Sequence, residues 1–309
     1  MSAAPEEHSD RYFALLYSPA PQRLVLDSLF GIEREICASL RPGLDHHVAH
    51  SRLQWWREEC ERAAVGRPVH PLTHALVDAL TGESFRVPAS ASVPTSPATG
   101  AAKSASAPLP QLAGLCGLVD VAVWDLAGAT FETRRELTAY CQRWSAAMIE
   151  PLALAPRTTT DAAAATATTA TNWSALGAAM REIEMLSHLA REAHHGRLRV
   201  PLDELESAQV DPGVLAKPPW PPAVAELLRA RHASLRSEIS RALGEVDTAQ
   251  QSGLRGLLVW AALAQRASQR TERALPDRAR LGGQFDAIAD AWFAWRIARR
   301  ATIGRFRLN

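Results

Sequence analysis

The sequence predicts an all-α fold, and three observations carry that prediction. Apolar residues recur at helical spacing through most of the chain. Helix stops punctuate the pattern at Pro42–Gly43, at Gly66 ahead of Pro68, at Gly196 and at Pro276. No stretch alternates apolar and polar residues between Gly or Asn turns, so strands are not required.

Taken in order, residues 21–40 place Leu24, Leu29, Ile32, Ile36 and Leu40 on a repeating stripe. Residues 47–64 set Val48, Trp55 and Trp56 among charged neighbours. Segments 133–150, 174–194, 222–244, 253–272 and 282–302 repeat the pattern with charges on the outer face. Two segments break it. Residues 87–110 are rich in Pro, Ser, Ala and Thr without an aromatic ring, and cannot bury enough surface to offset their ordering entropy. Residues 156–172 form a Thr/Ala tract in which the threonines oppose helix, so an exposed or disordered loop is expected. There is no repeat of solenoid length, and the two loops do not separate halves of different character. The expectation is a single domain over 1–309 with decorated loops.

Bulk chemistry excludes several classes. Lys and Arg number 34 against 33 Asp and Glu, a net charge of +1, so nothing attracts a polyanion and nucleic acid is not expected as a ligand. No apolar run is long enough to span a bilayer. The acidic start MSAAPEEHSD lacks a basic-then-apolar leader pattern. Cys37, Cys60, Cys116 and Cys141 are scattered without CxxC spacing, and read as buried free thiols in a reducing cytoplasm.

The segment Ile183–Leu205, IEMLSHLAREAHHGRLRVPLDEL, resembles the ILRDVxEDxxRGRxYLPxDEL stretch of squalene and phytoene synthases. The shared elements stand at Gly196–Arg197, Val200–Pro201 and Leu202–Leu205. Residues 52–76 resemble the family's W-R-x-E helix and its G-x-P-x-HP turn, residues 118–126 a helix end before a variable loop, residues 136–148 its tyrosine-cysteine helix, and residues 291–301 its closing helix. This resemblance implies a helical bundle of the isoprenoid synthase type around a central cavity. In that family two facing helices carry aspartates that hold Mg²⁺ against prenyl diphosphates, since Mg²⁺ takes oxygen ligands and neutralises a departing diphosphate.

The same resemblance locates what is missing. The family's A-F-C-R-x-x-D-D-x-x-D motif falls on Gly31–Arg41, where Arg34 is retained while the aspartate positions are Cys37, Ala38 and Arg41. Glu33 and Glu35, two residues apart, point to different faces and do not restore the pair. The second motif's aspartates fall on His188 and Glu192, so one carboxylate is left. Arg34, Glu192 and Arg197 are implied as a vestigial diphosphate site. Tyr140 is implied as a cavity residue, although a helix tyrosine with a satisfied hydroxyl is the preferred reading over a catalytic role. The pair His194–His195 replaces arginine, which weakens phosphate-binding charge at neutral pH.

The remaining histidines, His46, His47, His50, His70 and His74, have no carboxylate at useful spacing and read as surface or core residues. Most of the nine tryptophans read as core. Trp292 and Trp295, beside Arg296, Arg299 and Arg300, could instead meet an anionic membrane surface.

Residues 29–57 resemble, without gaps, a branch that includes a mitochondrial assembly factor for respiratory complex I: A-F-N-x-E-L aligns with Gly31–Ile36 and Q-F-W with Gln54–Trp56. The expectation is therefore a catalytically degenerate, cytoplasmic or membrane-peripheral protein without a cofactor. Its role would be accessory, binding an isoprenoid or lipid or a respiratory-complex subunit. The alternative is an active Mg²⁺-dependent prenyltransferase that joins two farnesyl or geranylgeranyl diphosphates head to head.

Overall fold

A computed structural model describes residues 9–41, 43–82, 108–155, 171–276 and 284–307. Fourteen α-helices run through the described residues, with no strand among them. The first four are α1 (Asp10–Tyr17), α2 (Ala20–Cys37), α3 (His46–Ala64) and α4 (Pro71–Thr81). Then come α5 (Gly117–Leu126), α6 (Arg134–Met148), α7 (Glu150–Leu154), α8 (Trp173–Ser187) and α9 (Leu189–His194). The chain finishes with α10 (Leu202–Ser207), α11 (Pro222–Gly244), α12 (Thr248–Gln251), α13 (Arg255–Arg273) and α14 (Gln284–Thr302). No helix among the described residues is long and apolar enough to cross a membrane.

The starts of these helices follow from side chains that accept the otherwise unpaired first-turn amides. Ser9 caps α1, Asp45 caps α3, Thr133 caps α6 and Asn172 caps α8. Proline stands in the first turn of α2, α4 and α11, where its missing N–H costs nothing. The two low-complexity segments lie outside the described residues except at their edges. There Leu109 donates its N–H to the Ala64 carbonyl, Pro110 opens a 3-10 turn, and Asn172 belongs to the cap of α8.

Three boundaries differ from the periodicity reading. The helix expected over 174–194 is two helices, broken at His188, whose φ of −114° and ψ of 12° leave the α region. The helix expected to reach residue 150 ends at Met148, and α7 begins afresh at Glu150 with Pro151, which has no N–H to continue the ladder, in its first turn. Leu24 is 43% exposed, and Val25, four residues before Leu29, takes its place on the buried stripe.

α8 is the central element, packed against α6, α11 and α13. It approaches α6 closely at Gly177, where an added Cβ would lie 2.1 Å from Ser145 Oγ, so only glycine fits. α1 docks on α13, and α2 packs against α4 and α5. Between these groups the interior is filled with aromatic rings: Trp260 meets Phe30 at 5.2 Å and Trp144 at 5.9 Å, centroid to centroid. Each such buried side chain contributes roughly 1.5–3 kcal/mol. Trp56, Trp173 and Trp220 are also buried, whereas Trp55, Trp292 and Trp295 are exposed.

Two of the motif stretches serve this architecture. Glu59, the glutamate of the W-R-x-E stretch, is fully buried. It accepts from the N–H groups of Val69 and His70, each at 2.8 Å, and from the Thr73 hydroxyl. It thereby locks the end of α3 onto the start of α4. His70 itself caps α4 through Nδ1, 3.2 Å from the Leu72 amide. In the Leu202–Leu205 stretch, Glu204 receives Arg134 of α6 through two bonds of 2.5 and 2.6 Å. Leu202 N–H donates to the Phe131 carbonyl at 2.9 Å.

Candidate functional site

α2 and α8 face each other across a cavity of about 510 Å³. The end of α2 and the turn after it bring Cys37, Leu40 and Arg41. α8 supplies Arg181, Glu184 and Met185, and the break and α9 supply His188, Arg191 and Glu192. Asp125 closes one side from the end of α5, with Arg197 and Arg199 from the loop after α9. Gly196 makes that loop: its φ of +77° suits glycine, and Arg197 N–H then bonds back to the Glu192 carbonyl at 2.9 Å.

Five guanidinium groups thus meet three carboxylates, an excess of two positive charges. In the floor the charges are paired. Arg199, only 4% exposed, bonds Asp125 at 2.8 Å and Glu192 at 3.1 Å. Tyr140 donates its hydroxyl to the other Asp125 oxygen at 3.0 Å and receives Arg181 at 3.4 Å. Arg181 bonds Glu184 at 2.8 Å. Glu184 also accepts from Arg11 of α1 at 3.1 Å, and Arg11 reaches across to Glu33 of α2. The indole N–H of Trp144 completes Glu33 at 2.7 Å. The result is one line of alternating charge and hydrogen-bond partners running from α2 through α1, α8, α6 and α5 to α9.

Protonation follows from this pairing. Burial raises the Glu184 carboxyl, but the charges of Arg11 and Arg181 outweigh it and hold it at about 2. For Glu192 too, Arg199 and Arg197 prevail over burial and lower the carboxyl below its ordinary value. At the mouth, Arg41 and Arg191 are exposed. Arg191 approaches one carboxylate, Glu192, at 3.9 Å, and no ion pair to Arg41 is present among the described residues.

Of the residues singled out by sequence, the cavity gathers Cys37, Arg41, His188, Glu192 and Arg197. Ala38 begins the 3-10 turn after α2, and Arg34 is exposed on α2; neither lines the cavity. Tyr140 lies behind the cavity wall, 1% exposed, with Arg199 above its ring at 5.7 Å. Cys60 and Cys141 are buried as expected of free thiols, but Cys37 is exposed at the rim and Cys116 half-buried. His46, His47, His50 and His74 are exposed on the surface.

Sequence reading missed Arg11, Asp125, Arg181, Glu184 and Arg199. A partial signal existed for three of them. Arg181 and Glu184 precede His188 by seven and four residues, on the same helical face. Arg199 stands where the quoted motif has its tyrosine.

The donor set does not fit Mg²⁺. That ion requires near-octahedral oxygen coordination from free carboxylates and water, whereas Glu33, Glu184, Asp125 and Glu192 each already face a guanidinium. Among the described residues no group of three or more His, Cys, Asp or Glu side chains is placed to hold a metal ion. A second hollow of about 190 Å³ adjoins the first, sharing Glu184 and His188, with Trp144, Met180, Ile183 and Trp260 in its wall.

The sequence profile of the squalene/phytoene synthase family matches residues 4–285. Among solved structures, a ligand-bound dehydrosqualene synthase superposes with a TM-score of 0.65 at 12% identity, covering 94% of this chain and 92% of the other. A squalene synthase from Alicyclobacillus acidocaldarius superposes with a TM-score of 0.58 at 16% identity, covering 84% of this chain and 87% of its own. No curated protein matches the sequence.

Proposed function

The chain belongs to the squalene/phytoene synthase family, and from that premise we propose that it is a non-condensing member with an accessory, lipid-binding role. Its arginine-lined cavity would receive the anionic head of an isoprenoid or related lipid. One observation carries this reading: Glu33 of α2 and Glu184 of α8 are bridged by Arg11, a cation tethered to the chain. A guanidinium held in partly buried ion pairs balances those carboxylates and competes with Mg²⁺ for them.

The volumes agree with this. Ligand pockets run to about 300–1,000 Å³ for a single drug-sized molecule. The arginine-lined cavity, at about 510 Å³, lies within that range, and the adjoining hollow of about 190 Å³, which mixes Trp144, Met180 and Trp260 with Asp10, Glu184 and His188, is smaller. Losing donors that stabilise departing charge costs about 3–4 kcal/mol each, so several losses remove useful turnover.

The alternative, a working head-to-head condensation, has in its favour the excess of positive charge lining the cavity, which could itself receive a departing diphosphate. Incubation with farnesyl or geranylgeranyl diphosphate separates the two. The accessory reading expects saturable binding that EDTA leaves unchanged, with no hydrocarbon product and no diphosphate release. Squalene- or phytoene-type product in the presence of Mg²⁺ would overturn it. A respiratory-complex subunit that co-purifies in stoichiometric amount would give the accessory role its protein partner.

A further inference from the structure

α14 shows an apolar face to the bundle and an apolar, basic face to solvent. Its inner face, with Ala294, Ile297, Ala298 and Ala301, is buried against the bundle. Both of its acids turn the same way: Asp290 bonds Arg270 at 2.6 Å and Arg266 at 2.8 Å, and Asp286 reaches Arg270 at 3.8 Å. The outer face carries Ile288, Trp292, Trp295 and Ile303, exposed by 67, 57, 46 and 58%. With Arg299 these positions are spaced by four, three, four and four residues, which aligns them on one stripe.

Arginines flank that stripe and lean over it. The Arg296 guanidinium lies 4.5 Å from the Trp292 ring centroid, and that of Arg299 lies 5.6 Å from Trp295. Arg296, Arg299, Arg300 and Arg305 form no ion pair with a carboxylate among the described residues. Exposed tryptophans on a contiguous face mark an interaction site. Indole rings capped by uncompensated guanidinium groups suit a boundary that is apolar below and anionic above.

We infer that α14 lies against an anionic lipid surface, with Trp292 and Trp295 inserted at headgroup depth and the arginines on lipid phosphates. Charge argues against a second copy of the chain, since a two-fold contact sets each patch on its own image and would press arginine against arginine. The acids that could relieve that repulsion are committed to α13.

Sedimentation of the full chain with vesicles tests this. Vesicles containing phosphatidylglycerol should carry the protein down, phosphatidylcholine vesicles should not, and added salt should release it. Replacing Arg296, Arg299 and Arg300 together with Gln should weaken binding about a hundredfold. Trp292→Ala with Trp295→Ala should weaken it about tenfold or more, with the circular dichroism melt unchanged because both rings are solvent-exposed. Equal binding to neutral vesicles, or variants that bind as well as the parent, would overturn the inference. So would a dimer in sedimentation velocity that the tryptophan changes dissolve, or a protein partner that they release while vesicle binding persists.

Discussion

The floor and the mouth of the cavity are built from the same residue type under opposite conditions. In the floor, Arg11, Arg181 and Arg199 are held by carboxylates and a tyrosine. At the mouth, Arg41 and Arg191 are exposed and meet little opposing charge. An arginine in the floor is part of the fold, since removing it strands a buried carboxylate. One at the mouth adds little to stability and keeps its donors for a ligand. Arginine thus does two separate things here, balancing the carboxylates of the floor and leaving a cationic entrance.

The largest effect expected from this comparison is at Arg11. Arg11→Ala leaves Glu33 and Glu184 facing each other, and should lower unfolding free energy in urea by about 3 kcal/mol or more. Adding Glu33→Gln to Arg11→Met should recover part of that loss; if it does not, the bridge is not what stabilises the floor. Tyr140→Phe comes next, because it removes a hydroxyl that both donates to Asp125 and accepts from Arg181, and should cost about 1 kcal/mol.

Acid titration sharpens the contrast further. Glu184 is held at about 2 in the fold against an ordinary value of 4.5. A depressed carboxyl contributes stability that is fully present above the unfolded value and is lost as pH falls through the window from 4.5 to about 2. Resistance to chemical denaturation should therefore fall as pH drops across that window in the parent chain, and less so in Glu184→Gln. The smallest stability effect belongs to the mouth: Arg41→Ala and Arg191→Ala should change stability by no more than about 0.5 kcal/mol. Isothermal titration with inorganic pyrophosphate in EDTA should show weaker binding for the same pair. A stability loss there equal to that of Arg11→Ala would erase the distinction between the two regions.

The fold was readable because helix formation leaves local marks. The stripe Leu29, Ile32, Ile36, the proline at the start of α11 and the glycine at residue 196 each act within a few residues of themselves. The break at His188 carries no Pro or Gly, and went unseen for that reason. The cavity was legible only where a motif fixed the register, at Cys37, Arg41, His188, Glu192 and Arg197. Its floor was not, because pairing there is set by the tertiary fold: Arg199 finds Asp125 across 74 positions and Arg11 finds Glu184 across 173. Glu33 illustrates the difficulty. Local geometry separates it from Glu35 correctly, but only the placement of α1 shows that it turns inward to Arg11 and Trp144.

The docking of α1 on α13 has a consequence for how the chain reaches this state. α1 carries the guanidinium that balances α2 and α8, yet its packing surface is made only when residues 255–273 have been synthesised. Until then Glu33 and Glu184 lack their shared guanidinium, and the cavity has no floor. Contacts of such long sequence separation slow folding. The floor is thus expected to close late, with Arg11 completing the site from the opposite end of the sequence.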